Sequence, residues 1–254
     1  RDFDLELLSY LPLSHIAEQL ISLHSPPFYG GRTSFVTRVD EVGDALKTIE
    51  PTVFLGVPRV WEKIRAKIEV ELGKQSWIKK TIVSWVRRVA LKTQGGSLKG
   101  RRQPWLYRII HYWIISKLHA RLGLARCLAP YTSAAPISRQ TLDFFMSFGI
   151  PIYEIYGMSE CTGPAAISDP NRFELGKAGY SLPGTELRVD TKGEICVRGP
   201  HVFMGYYKDE RASRAAIDDD QWLHTGDIGE IDAKGFLSVT GRFKDILITS
   251  GGEN

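Results

Sequence analysis

Over its first 72 residues the chain alternates short apolar runs with segments of helical spacing. Residues 7–13, 33–36 and 52–57 read as strands, and residues 16–24, 42–49 and 59–72 as helices. Strands alternating with helices at this spacing constrain the fold to an α/β layer with a parallel sheet flanked by helices. Pro51 and Pro58 bracket the third run, because a residue before proline is pushed out of helical geometry. In residues 59–72 the apolar face is carried by Val60, Ile64 and Ile68.

The alternation resumes through residues 143–148 and 151–156, which extends the α/β subdomain over residues 1–172. From residue 173 the texture changes to short strands between glycines, at 186–189, 194–197, 229–232 and 236–240, with turns at 190–193 and 232–235. This predicts a small β-rich subdomain over 173–241, of distorted-barrel type.

Charge is unevenly placed. The chain of 254 residues has 33 Lys and Arg against 29 Asp and Glu, a net charge of +4. Residues 73–141 hold 14 of the basic residues and no acidic one. Two helices are expected there, 76–92 and 105–122, joined by a flexible basic loop at 94–100. Such a block reads as a solvated face, an anionic membrane contact or a nucleic-acid patch. Its aromatics sit mostly at helical spacing and no nucleic-acid motif accompanies them, so no nucleic-acid partner is expected.

With 43% hydrophobic and 24% charged residues the composition excludes intrinsic disorder, collagen and a disulfide-stapled miniprotein. Cys127, Cys161 and Cys196 are odd in number and form no C-x-x-C pair, which fits a reducing compartment. No apolar stretch approaches the roughly 18 residues that span a bilayer. A cytoplasmic protein, with or without peripheral membrane contact, is expected. The chain opens at Arg1 without Met and stops just after a β-like run at 245–249, which reads as a partial chain.

Four segments could carry chemistry. Tyr156-Gly157-Met158-Ser159-Glu160-Cys161-Thr162-Gly163 sets an aromatic, a hydroxyl and a carboxylate beside glycines. An aromatic face stacks on a base, a hydroxyl bonds a phosphate oxygen, and a carboxylate holds Mg²⁺. The same pattern also suits a plain strand-to-helix turn. Thr132-Ser133-Ala134-Ala135 permits close approach of a planar ligand, or is a loop. In Trp222-Leu223-His224-Thr225-Gly226-Asp227, Asp227 can accept two sugar hydroxyls or close an Asx turn. Gly241-Arg242-Phe243-Lys244-Asp245 places charges straight after a strand, as a solvated turn or a hinge.

In this order the four segments resemble the signature set of the adenylate-forming superfamily, which includes acyl-CoA synthetases, carrier-protein adenylation domains and beetle luciferases. Residues 8–15, 56–64 and 246–254 narrow the resemblance to long-chain fatty acyl-CoA synthetases of the bubblegum-type branch. It implies the second α/β subdomain of the large domain, then the β-rich subdomain, then a hinge over 242–254 leading to a C-terminal lid. It also implies activation of a fatty acid with ATP and Mg²⁺ to acyl-AMP and pyrophosphate, followed by transfer to CoA. Fatty acid, ATP and CoA are then the ligands. Delivery to a carrier-protein thiol, or a non-catalytic membrane-binding fragment, are the alternatives. Oligomeric state stays open.

By the same resemblance Tyr156 stacks on adenine, with Ser133, Ala134 and Ala135 as the wall around it. Ser159 contacts the α-phosphate and Glu160 ligates Mg²⁺. Asp227 and Arg242 bind the ribose, Lys244 sits at the hinge, and His15 lines the acyl pocket near the carboxylate. Gly251 and Gly252 lie along the pantetheine path. Glu160, Ser159 and His15 are the residues nearest the chemistry.

Overall fold

The computed structural model describes residues 4–94, 112 and 115–243. Its chain divides into two compact units, residues 1–153 and 154–254. The texture of the sequence places the change near residue 173, but the strands around 153–167 belong with the later unit by their contacts.

In the first unit β1 (Leu5–Ser9), β2 (Gly31–Phe35), β3 (Val53–Leu55) and β4 (Ala129–Thr132) are parallel, in the order β2-β1-β3-β4. β1 is buried on both faces, as the strands of a helix-covered parallel sheet are. The run at 7–13 therefore splits, and its second half leaves the sheet after Ser9. The expected helix at 16–24 is irregular. It comprises α1 (Ile16–Glu18), a π-helical turn (Gln19–His24) and α2 (Ser25–Tyr29), closed by Gly30 in the left-handed region. Pro26 and Pro27 are tolerated because they fall in the first turn of α2.

Helices α3 (Val42–Ile49), α4 (Pro58–Gly73), α5 (Trp77–Gln94), α6 (Ser116–Leu122) and α7 (Arg139–Met146) complete the layer. Of the second basic helix only its last part, α6, lies among the described residues. Trp61 anchors the core. Its ring meets Phe54 edge-on at 5.3 Å and Phe145 at 5.0 Å, and its indole N–H donates to Tyr131 O at 3.1 Å. A Cβ on Gly56 would come within 2.6 Å of that indole nitrogen, so glycine is required there. Tyr10 ties β1 to β3, its hydroxyl donating to Leu55 O at 3.0 Å and accepting from Val57 N at 2.9 Å.

The second unit is antiparallel. β5 (Tyr153–Met158), β6 (Gly163–Ile167) and β7 (Tyr180–Ser181) pair in sequence. β8 (Glu186–Val189), β9 (Glu194–Arg198), β10 (Leu223–Ile231) and β11 (Leu237–Arg242) form a second sheet, with α8 (Glu210–Ala216) before β10. Leu237 joins the two sheets by backbone bonds to Gly179 and Ala178. The core is Tyr156, Cys161, Ala165, Ile195, Val197, Leu223 and Leu237.

Candidate active site

The carboxyl ends of parallel strands are where open α/β sheets bind ligands, because there the loops diverge and leave a crevice. In the first unit the β1 and β4 ends carry the expected residues. His15 caps α1, its Nδ1 accepting from Ala17 N at 3.2 Å, so a neutral ring carries its proton on Nε2. It is half-buried rather than buried. Ser133, Ala134 and Ala135 follow β4 directly, Ala134 with φ +75°, a left-handed conformation costly for a residue with a Cβ. Beside them the Thr132 hydroxyl is 2% exposed and has no hydrogen-bond partner among the described residues.

In the second unit three expected residues meet. The Tyr156 hydroxyl donates to Asp227 Oδ2 at 2.9 Å, and Arg242 Nε donates to Asp227 Oδ1 at 2.7 Å. Asp227 is 5% exposed and Tyr156 8%. Burial above all holds the Tyr156 phenol well above its usual range. A Thr225 hydrogen bond opposes that rise and the Asp227 carboxylate adds to it, so the phenol remains a donor. A carboxylate offers about four lone-pair sites. Two are used here by the described residues, one on each oxygen.

Asp227 is not in a glycine-rich turn, as the sequence suggests, but inside β10, which also absorbs the strand expected at 229–232. Between His224↔Cys196 and Ile228↔Glu194, β10 advances four residues while β9 advances two. The extra residues form a bulge with Gly226 at φ +72°, and on the other side Asp227 pairs directly with Arg242. Tyr156 likewise lies inside a strand, β5, whose partner β6 runs antiparallel to it. A single 3₁₀ turn (Ser159–Cys161) links β5 to β6. A Cβ on Gly157 would fall 1.9 Å from Gly163 O, so the crossing admits only glycine.

Ser159 is exposed and Glu160 half-buried on that turn. Tyr206, which sequence reading missed, donates from its hydroxyl to Glu160 Oε1 at 2.9 Å. Burial first, then the Glu160 carboxylate, raises the Tyr206 phenol. Phe203 N also donates to Glu160 O at 2.8 Å, and Thr162 Oγ1 to His201 O at 2.6 Å, strapping the 201–206 loop to the turn. Glu194, which accepts from Gly226 N at 2.8 Å beside Asp227, carries no signal in the sequence, since Gly-Glu-Ile-Cys-Val-Arg at 193–198 reads as an ordinary strand. Lys244, Gly251 and Gly252 lie outside the described residues.

The chain matches the family described as AMP-binding enzyme over residues 1–207, and it belongs to that family. Among its curated relatives is the long-chain-fatty-acid–CoA ligase ACSBG2 of Gallus gallus, 42% identical over 257 residues, covering 98% of this chain and 34% of that one. ACSBG1 of Mus musculus is 38% identical over 256 residues, covering 98% and 36%. The chain thus spans about a third of the length of these curated relatives. The solved structure of O-succinylbenzoate coenzyme A synthetase from Bacillus subtilis in complex with AMP shares the fold. Its TM-score is 0.67 at 22% identity, over 99% of this chain and 44% of that one.

Proposed function

We propose that this chain is part of an AMP-forming ligase that activates a long-chain fatty acid with ATP and passes the acyl group to CoA, releasing AMP and pyrophosphate. The observation that carries the reading is the Tyr156–Asp227–Arg242 cluster, found in a chain 42% identical to a long-chain-fatty-acid–CoA ligase. A buried carboxylate with spare lone pairs beside an aromatic face suits a ribose and its base. Tyr156 would lie against adenine with Ser133, Ala134 and Ala135 around it, and Asp227 with Arg242 would hold the ribose.

Ser159 would bond the α-phosphate, and His15 would line the acyl pocket near the carboxylate. A half-buried carboxylate beside a hydroxyl is a donor set that suits a hard cation, so Glu160 would hold Mg²⁺. Bound Mg²⁺ supplies neutralisation of phosphate charge. The reaction brings one anion onto another, so charge neutralisation and fixed geometry carry most of the rate. Residues 242–254 would form the hinge to a lid, with Lys244 at its pivot and Gly251 and Gly252 beside the pantetheine arm.

The test is AMP release by the full-length protein carrying this sequence, with Mg-ATP and hexadecanoate, with and without CoA. CoA-dependent AMP formation that collapses in Asp227→Ala supports the ligase and the ribose contact together. AMP formation indifferent to CoA would point to another acceptor such as a carrier-protein thiol. No AMP would favour a non-catalytic role or a different acid.

A further inference from the structure

Behind Asp227, on the opposite side of the β10 bulge, stands a polar cluster that the nucleotide reading does not use. The Glu194 side chain, 15% exposed, accepts from Gly226 N at 2.8 Å on Oε1 and from His224 Nδ1 at 2.8 Å on Oε2. His224 Nε2 faces Asp218 Oδ2 at 3.3 Å, and Arg188 donates to the same oxygen at 3.2 Å. Thr225 Oγ1 donates to Ile195 O at 2.7 Å and accepts from Asp227 N at 3.1 Å. The two extra residues of β10 therefore lack regular ladder partners, and side chains replace them.

Glu194, Cys196 and His224 could form a cation's donor set by proximity. Their atoms are otherwise engaged. Both Glu194 oxygens and both imidazole nitrogens have partners, and Arg188 already brings positive charge against Asp218. The arrangement is a clamp on the backbone. A charged acceptor on an inward N–H is among the stronger hydrogen bonds available, and it fixes where the next residue points.

We infer that Glu194 is a positioning residue for the nucleotide site: by holding Gly226 N and the His224 ring it fixes the bulge that turns Asp227 toward Tyr156 and Arg242. The inference rests on the reading of Asp227 as ribose acceptor. Glu194 touches no reacting atom and acts through Asp227.

Glu194→Ala and Glu194→Gln in the full-length protein test it, with KM for ATP, kcat for AMP formation, thermal midpoint, and hydrogen–deuterium exchange of peptides covering residues 223–229. The alanine variant is expected to raise KM for ATP about tenfold and to speed exchange at 223–229 by a similar factor, with kcat within about threefold. Glutamine keeps an oxygen for Gly226 N, so it should restore most of both. Unchanged KM and exchange in the alanine variant would overturn the inference. So would a glutamine variant as impaired as alanine, or a loss of kcat and thermal midpoint with KM unmoved. Absence of AMP formation by the wild-type protein would overturn the nucleotide reading itself, and exchange at 223–229 then still reports whether Glu194 clamps the bulge.

Discussion

Tyr156 and Asp227 stand 71 positions apart in sequence, yet the phenol donates to the carboxylate at 2.9 Å inside a buried core. The bond anchors the phenol end of the side chain and consumes one lone pair of the carboxylate, so the two residues act as a unit. Asp227→Ala would leave the Tyr156 hydroxyl buried without this acceptor, a penalty of about 1–3 kcal/mol. The variant should lower the urea midpoint as well as abolish AMP formation. Tyr156→Phe keeps the ring and removes only the donor, so KM for ATP should rise by about fivefold, with a loss of stability near 1 kcal/mol.

His224 provides a pH signature. Its hydrogen bond to Glu194, and then that to Asp218, raise its pKa above the ordinary 6.5. A group whose folded pKa is raised contributes stability that is complete below the unfolded value and is lost as pH rises through the folded one. Stability should therefore decline as pH climbs above about 6.5, and Glu194→Gln should flatten that decline. An NMR titration of the His224 ring checks it directly, with the midpoint expected to fall toward 6.5 in the variant.

Tyr206→Phe keeps the edge-on ring contact with Phe203 at 4.9 Å and deletes only the bond to Glu160. The loosened carboxylate should raise the Mg²⁺ concentration needed for half-maximal AMP formation by about threefold, with the thermal midpoint nearly unchanged. A Mg²⁺ titration at fixed ATP reads this, and an unshifted curve would remove Tyr206 from the site.

Trp61→Ala should destabilise the first unit by about 3–5 kcal/mol, because it empties the space between Phe54 and Phe145 and strips Tyr131 O of a donor. Gly56→Ala, which adds one methyl against the same indole, should also destabilise. Equilibrium unfolding in urea, followed by tryptophan fluorescence, compares the two.

The basic helix α5 turns Trp77, Lys80, Arg88 and Leu91 outward, a face suited to an anionic bilayer. Arg87 is not on it. Its guanidinium lies over Phe144 at 4.8 Å and Phe148 at 5.0 Å and its Nε donates to Ser147 Oγ at 2.8 Å. If this face meets lipid, Lys80→Glu with Arg88→Glu should reduce sedimentation with anionic liposomes several-fold, with no effect on neutral ones. No helix among the described residues is long and apolar enough to cross a membrane.

Much of the fold was legible because it is written locally. The helix at 42–49 and the strands at 186–189 and 194–198 follow from period and punctuation alone. Asp227 was legible as a candidate residue but not as a strand residue, since its flanking glycines imitate a turn. Its strand pairing comes from Arg242 and the clamp from Glu194, neither of which local sequence displays. Arg87 shows the same limit from the other side. A charge count assigns it to the surface, whereas two phenylalanines 57 and 61 positions later draw it inward. Tyr206 was hidden because only a long loop returning to the 159–161 turn gives its hydroxyl a purpose.

The two bonds of the Asp227 carboxylate close loops of very different length. Arg242 reaches Asp227 across 15 positions, so that pair can close with the β10–β11 hairpin soon after both strands emerge. Tyr156 reaches the same carboxylate across 71 positions, which closes a far longer loop at a larger entropic cost. The cationic partner of Asp227 is thus a local contact and its aromatic partner a non-local one, so loosening the chain between residues 156 and 227 should weaken the second without touching the first.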